Sequence, residues 1–395
     1  MKIKIIVSFV LLFGLLQKSM SQEPERIVRS NNIFGFDIFK EISKTGKSNL
    51  FISPISIVTA LSMAYDGASG KTAEEMKEVL RFTTSEEQTH EDLVNLLKFY
   101  RDNNGDLFTI SDAAVVQNDY HFKDSYLELL DDYETKVKYA DFKNSTNINE
   151  IREEINKWVS ENTGGKINDL LEESVLTPLT RLVLLNAVYF KDSWKYKFDK
   201  EKTKVMPFYI SKRKKVLTDF MFSSQKYGYY QNEDLQMIEI PYEKDASFFV
   251  ILPDKNKNFD EYCSEFTYDE FYNLEQKLRA GKIDLYLPKF IIESKYNLNE
   301  YLKSLGMKDA FSDSADFSKM TGSRDLTIDK VIHQSFVEVE ETGTEAAAST
   351  AVVMREKSAA INPLEMKVDH PFIFIIKEKS QGAILFIGKF IQPEK

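Results

Sequence analysis

The chain has 395 residues, 43% of them hydrophobic and 29% charged, with a formal net charge of −10. These proportions describe a globular protein with a sizeable core and exclude a disordered or low-complexity chain. The acidic balance argues against nucleic acid as the main partner, and a single cysteine, Cys263, excludes an intramolecular disulfide and reads as a small packed residue.

In chain order, the first feature is MKIKIIVSFVLLFGLLQKSMSQ. Lys2 and Lys4 precede an apolar run from Ile5 to Leu16, and Ser19 and Ser21 are small residues suited to cleavage. This pattern predicts a secretory signal over residues 1–21, too short to span a bilayer comfortably. The mature chain would begin near Gln22, and loss of Lys2, Lys4 and Lys18 would move the formal charge to −13. No later run is long and apolar enough for a membrane span, so an extracellular protein is expected. Residues 22–395 hold no repeat or Pro/Gly/Ser linker and read as one domain.

SIVTALSMAYDGASGKTAEEMKEVL (56–80) predicts a helix, a loop and a second helix with Thr72 as its cap. Its GASGKT ends like a phosphate-binding loop, but the first glycine that such a loop needs would fall at Tyr65. Asn144, in Asn144-Ser145-Thr146, forms a pattern for N-glycosylation. TNINEIREEINKWVSENTGGKI (146–167) predicts a helix stopped by Gly164 and Gly165. TRLVLLNAVYF (180–190) is the continuous apolar run of a strand covered on both faces. SFFVILP, KIDLYLPKFII and HPFIFII…AILFIGKF supply further strands, the last two runs joined by a KEKSQG hairpin. Helices dominate the first half and strands the second, which predicts a mixed α+β class.

Catalytic patterns are missing. No G-x-S-x-G elbow or H-E-x-x-H pair exists, and His90, His121, His333 and His370 are scattered. No metal site and no enzymatic activity is therefore expected. SKRKKV concentrates charge at Lys212, Arg213, Lys214 and Lys215, a candidate site for a heparin-like polyanion, or simply a solvated surface hairpin.

GTEAAASTAVVMREKSAAINP (343–363) carries two instructions. Alternate residues Thr344, Ala346, Ala348, Thr350, Val352 and Met354 are small or apolar, while Glu345 and Arg355 sit on the other face. That is the code of an internal strand. The following REKSAAINP is polar and offers Arg355 and Lys357 to trypsin-like proteases. A segment coded as a strand yet ending in an exposed loop reads as a loop awaiting insertion.

FVEVEETGTEAAASTAVV (336–353) closely resembles the hinge of the inhibitory serpins, the serine-protease inhibitors that insert a reactive loop into their main sheet. NLFISPISIVTALSMAYDGASGKTAEEM, LLNAVYFKDSWKYKFD, IEIPYEKDASFFVILP and LPKFIIESKYNLNEYLKSLGMKDAFSDSADFSKM resemble the family's segments in its order, as does DHPFIFII…AILFIGKFIQP. VLTDFMF (216–222) departs from the family's Val/Pro/Met-rich strand. The resemblance implies one domain of three β-sheets with eight or nine helices and an exposed reactive-centre loop over about 343–363. It further implies a monomeric suicide-substrate inhibitor of a trypsin-like serine protease, with Gly343, Thr344, Glu345, Ala346, Ala347, Ala348, Ser349 and Thr350 as hinge. Family spacing puts the scissile bond at Lys357–Ser358, with Arg355 as the rival and Met354 as a further possibility for a chymotrypsin-like enzyme. Ser53, Ser56, Asn186 and His333 resemble the hydrogen-bonded cluster beneath the sheet's centre, and Trp194 the aromatic residue where insertion begins. A non-inhibitory carrier or storage protein is the alternative within the same family.

Overall fold

The computed structural model describes residues 23–46, 48–104, 108–173, 175–344 and 363–393. The expected signal (1–21), most of the hinge (Glu345, Ala346, Ala347, Ala348, Ser349, Thr350) and the reactive-bond residues Arg355, Lys357 and Ser358 lie outside them. Ten α-helices and sixteen strands are described, one of the helices being the four-residue Ser318–Thr321. The α+β class is as the sequence predicts.

The strands form two hydrogen-bonded sheets, of nine and seven strands. The three-sheet expectation is met because one long strand joins two of them. Lys214–Gln231 runs for 18 residues, pairing with Lys204–Ser211 at its start and with Leu235–Pro241 at its end. In the seven-stranded sheet, Lys136–Ala140, Phe108–Gln117, Leu182–Phe190, Lys330–Glu340 and Phe290–Asn297 lie side by side. Leu182–Phe190 and Lys330–Glu340 are parallel neighbours from Lys330↔Val183 to Phe336↔Tyr189. Eight of the nine residues of Leu182–Phe190 are buried, as a strand covered on both faces requires.

One face is covered by helix Ser145–Asn162. Ile148, Ile151, Ile155 and Val159 recur at helical spacing and pack into a cluster with Ala113, Val115, Val183 and Leu185. The chain leaves this helix through Gly164 (φ 60°) and Gly165 (φ 79°), left-handed conformations that a side chain disfavours. The other face meets helix Pro54–Asp66, which packs between the two sheets and is buried at all thirteen positions. Pro54 occupies the first helical turn, where its missing N–H leaves no bond unmade. Beside it Phe51 stacks on Phe386 at 4.7 Å and Phe374 at 5.7 Å.

Two local expectations change. Thr72 does not cap a helix: the helix starts at Gly70, and Thr72 is buried in its first turn. Its hydroxyl donates to Asp309 Oδ2 (2.6 Å) and accepts from the Asp316 backbone N–H (2.8 Å), tertiary bonds that a local capping rule does not anticipate. KIDLYLPKFII, one strand segment in the sequence reading, forms two strands. It divides at Lys289, Arg279–Pro288 joining the larger sheet and Phe290–Asn297 the smaller. Among the described residues no helix is long and apolar enough to cross a membrane.

Truncating Phe51, which is 0% exposed and contacts rings from two strands of the larger sheet, leaves a cavity that neighbours refill only partly. Phe51→Ala should lower stability by about 3–5 kcal/mol, read as an earlier urea midpoint; an unshifted midpoint would show that the site collapses freely.

Candidate functional site

The parallel pair at the centre of the seven-stranded sheet is closed along its length and parted at one end. Beyond Phe336↔Tyr189 the short strand Gly343–Thr344 lies between the two sides. It pairs antiparallel with Val339 and Glu340 on one flank and with Asp192–Ser193 on the other. Thr344 is fully buried. Gly343 allows this close approach: a Cβ there would sit 2.1 Å from the Asp192 carbonyl oxygen and 2.7 Å from Ser193 Cα.

An aromatic and polar cluster holds the parted end. Tyr242 OH and Thr344 Oγ1 are 2.5 Å apart, and the Tyr242 ring stacks on Trp194 at 4.5 Å. Trp194 Nε1 donates to the Glu340 carbonyl at 2.7 Å, and its backbone N–H donates to the Thr342 carbonyl at 3.0 Å. Glu341 is buried and accepts from Lys289 Nζ and Thr203 Oγ1, each at 2.7 Å. Burial works to raise the Glu341 carboxyl, but these bonds outweigh it and hold the group below the usual carboxylate range. Trp194, the residue that resembles the family's aromatic at the point of insertion, thus lies beside Gly343–Thr344 at the parted end.

Lower down, Asp112, Asn186 and His333 face one another across three adjacent strands. The backbone N–H of Ser53 donates to His333 Nε2 (3.1 Å), which makes Nδ1 the protonated nitrogen of a neutral ring. Nδ1 then donates to Asn186 Oδ1 (2.7 Å), which also accepts from Ser56 Oγ (2.5 Å). Asn186 Nδ2 donates to the Ser56 carbonyl (3.1 Å) and to Asp112 Oδ1. The expected cluster of Ser53, Ser56, Asn186 and His333 is therefore one network, tying the sheet to the first turn of helix Pro54–Asp66. Ser53 enters it through its backbone, and its buried hydroxyl has no hydrogen-bond partner among the described residues.

Asp112 was not anticipated, although the sequence carried a signal: a lone carboxylate inside the run ISDAAVV. Burial pushes its carboxyl up to about 7, the bond to Asn186 opposing only in part. Burial also pushes His333 down to about 3. Both shifts favour neutral groups inside the network.

The remaining sites lie on the surface or in the core. Asn144 is exposed, just ahead of helix Ser145–Asn162. Lys212, Arg213, Lys214 and Lys215 are exposed around the turn between Lys204–Ser211 and Lys214–Gln231. Cys263 is fully buried, with its thiol pushed up to about 12 by burial, an inert packed group. Among the described residues no three His, Cys, Asp or Glu side chains gather as a metal site.

A family model described as "Serpin (serine protease inhibitor)" matches residues 29–393. Intracellular coagulation inhibitor 2 of Tachypleus tridentatus is 37% identical over 380 residues, 94% of this chain and 92% of that protein. The crystal structure of Serpin48 from the insect Tenebrio molitor superposes with a TM-score of 0.82 at 30% identity, covering 93% of this chain and 98% of the other. Human thyroxine-binding globulin gives 0.85 at 28% identity, covering 94% and 100%.

Two measurements test this geometry. Gly343→Ala should expel the seated residues, because the new Cβ meets backbone rather than a movable side chain. Amide exchange at Thr344 should then rise about tenfold or more; unchanged protection would mean the strands can give way. The buried carboxyl predicts a pH signature. Its folded value, above the ordinary 3.8, gives a relative stabilisation that is complete below 3.8 and lost as pH rises to about 7. His333 acts in the opposite sense: its contribution is present above 6.5 and lost as pH falls toward about 3. Asp112→Asn should therefore raise the melting temperature by about 3 °C or more at pH 8 and leave it unchanged near pH 4. An equal change at both pH values would contradict this assignment.

Proposed function

Because the chain belongs to the serpin family, we propose that it is a secreted suicide-substrate inhibitor of a trypsin-like serine protease. The observation that carries this reading is the loop's first two residues, already seated between the strands that would receive the rest.

The register supports it further. Thr344 opposes Val339 and Asp192, and both pairings are antiparallel. Extending them residue by residue sets Glu345 to Val353 against Lys330 to Glu338, with Thr350 between His333 and Asn186. Thr344 faces the core, so Ala346, Ala348 and Thr350 share that face. A charge at these positions would be costly to bury, and none is present. Insertion breaks the His333–Asn186 hydrogen bond and delivers the Thr350 hydroxyl to the same place. One parallel ladder is exchanged for two antiparallel ones, which are individually somewhat stronger. Val352, on the same face, adds roughly 1.5–3 kcal/mol if fully buried.

In the proposed sequence a protease serine attacks the Lys357 carbonyl, the bond to Ser358 breaks, and the new amine leaves with the C-terminal segment. The acyl-enzyme forms as the freed loop begins to insert. The attached protease is carried along and its catalytic site distorted before water can hydrolyse the ester. A long cation at Lys357, or at the rival Arg355, suits an acidic specificity pocket. The same reading includes entry into the secretory route through residues 1–21, a monomer, and a glycan at Asn144. Lys212, Arg213, Lys214 and Lys215 are exposed together, which favours a heparin-like polyanion as a further partner. Control of an extracellular cascade (clotting, complement, or invertebrate melanisation and Toll-type immune signalling) is the physiological role proposed.

The likeness to thyroxine-binding globulin favours a second reading, a carrier or storage protein without inhibitory action. The uncharged inward face from Thr344 to Thr350 weighs against it. Incubation with trypsin-like proteases should yield a covalent complex that survives SDS, and mass spectrometry of the released C-terminal peptide should begin at Ser358. Ala346→Glu should divert most of the inhibitor to simple cleavage. Cleavage without any complex in the unaltered protein would leave the carrier reading standing.

A further inference from the structure

Three helices meet at His90, at the far end of helix Pro54–Asp66 from the Asn186–His333 network. His90 lies near the start of helix Glu86–Asn104. Its Nδ1 is 2.8 Å from Oδ2 of Asp66, the last residue of helix Pro54–Asp66. Its Nε2 is 3.2 Å from Oδ2 of Asp132, the last residue of helix Asp124–Asp132. Tyr133 completes the cluster: its hydroxyl donates to Asp66 Oδ2 at 2.8 Å, and its ring meets the imidazole edge-on at 5.1 Å. An ionised carboxylate only accepts hydrogen bonds, so a ring bonded to one at each nitrogen carries both protons and is a cation. Among the described residues neither Asp66 nor Asp132 has a lysine or arginine within ion-pair distance.

The groups around this ring are acidic or neutral. Asp66 is buried with Tyr65 and Tyr126 beside it, while Asp132 is exposed. On the ring's own helix Glu86 pairs with Lys319 at 2.5 Å, and Glu87 and Glu91 are exposed. Burial works to lower His90, but the bonds to Asp66 and Asp132 outweigh it and hold the ring above the ordinary 6.5. With the folded value raised, the stabilisation is complete below 6.5 and lost as pH rises through that higher value. A lysine or arginine would keep the same pairs throughout this range; an imidazolium does not.

The contact sits at the root of a sheet edge. Glu134, directly after Tyr133, has φ 57°, a left-handed conformation that a side chain disfavours. Its carboxylate lies 3.2 Å from Arg101 Nε of helix Glu86–Asn104. Two residues on begins Lys136–Ala140, the outer strand that pairs with Phe108–Gln117. A disfavoured backbone between a titrating contact and a sheet edge is placed to act as a hinge.

We propose that His90 is a pH-operated latch, tying Asp132 and the turn that leads into Lys136–Ala140 to the ends of two other helices. As pH rises, the proton leaves Nε2 for solvent, since that side of the ring faces the exposed Asp132. Nδ1–H stays with the buried Asp66. Asp132 then faces a lone pair in place of a donor, swings out, and frees the turn around Glu134. The latch is independent of the inhibitory reading, because none of its residues belongs to the loop or to the Asn186–His333 network.

The test uses the full chain. With ring-13C histidine, the four histidines can be followed by NMR from pH 5 to pH 10. The signal lost in His90→Gln should titrate above 6.5. Hydrogen–deuterium exchange, corrected for its intrinsic pH dependence, should show protection of residues 130–136 falling about tenfold between pH 6 and pH 9, the margin of one charge-assisted contact. Protection of strand Phe372–Glu378 should stay level. Asp132→Asn, an exposed change of the same shape, should abolish the fall, because an amide can bond the ring in either state. No fall in the unaltered protein, a fall that survives in either variant, or a His90 signal titrating at or below 6.5 would each overturn the proposal.

Discussion

The structure depends on one hydrogen-bonded boundary, the parallel ladder between Leu182–Phe190 and Lys330–Glu340. It is covered on one face by helix Ser145–Asn162 and pinned on the other to the start of helix Pro54–Asp66 by the Asn186–His333 network. Parallel pairing is the weaker of the two ladder types. Yet here it lies at the centre of the sheet, directly below the seat of a segment with the code to replace it. The proposed insertion would extend the parted end into the closed body, with Gly343 and Thr344 at the junction.

Neutrality keeps that boundary compact. The His333 ring is deprotonated by burial, and its tautomer is set by the Ser53 N–H on Nε2. Asp112 adds a carboxyl raised by the same desolvation. An ionic pair here would have to be remade each time the strands separated; neutral hydrogen bonds can be exchanged for those of an incoming hydroxyl at a smaller energetic difference. The proposed insertion uses this property, because Thr350 falls in register with both bonded partners. At the parted end the physics differs: the buried Glu341 stays ionised through Lys289 and Thr203, a fixed anchor around which the seated residues turn.

Much of this was legible in residue order. The run TRLVLLNAVYF announced a strand buried on both faces, and the glycine pair after the 146–167 pattern marked where the helix stops. The family resemblance brought Ser53, Ser56, Asn186, Trp194 and His333 to notice, and the structure gathers four of them into one network with Trp194 at the parted end. Other features could not be read locally. Thr72 has the composition of a cap, but its partners Asp309 and Asp316 are more than two hundred residues away. The run from Lys282 to Ile292 reads as one strand-like segment, and only the adjacent Pro288 and Lys289 mark the point where it divides between two sheets.

The sequence by itself determined the alternation of small residues from Thr344 onward, the strand and helix periods, and the family, because each is a property of near neighbours or of motifs in order. Only the tertiary structure decided that Thr344 is already buried and that Asp112 joins Asn186 and His333. Those features arise from contacts between strands distant in sequence, and desolvation at such contacts has no counterpart in the order of residues along the chain.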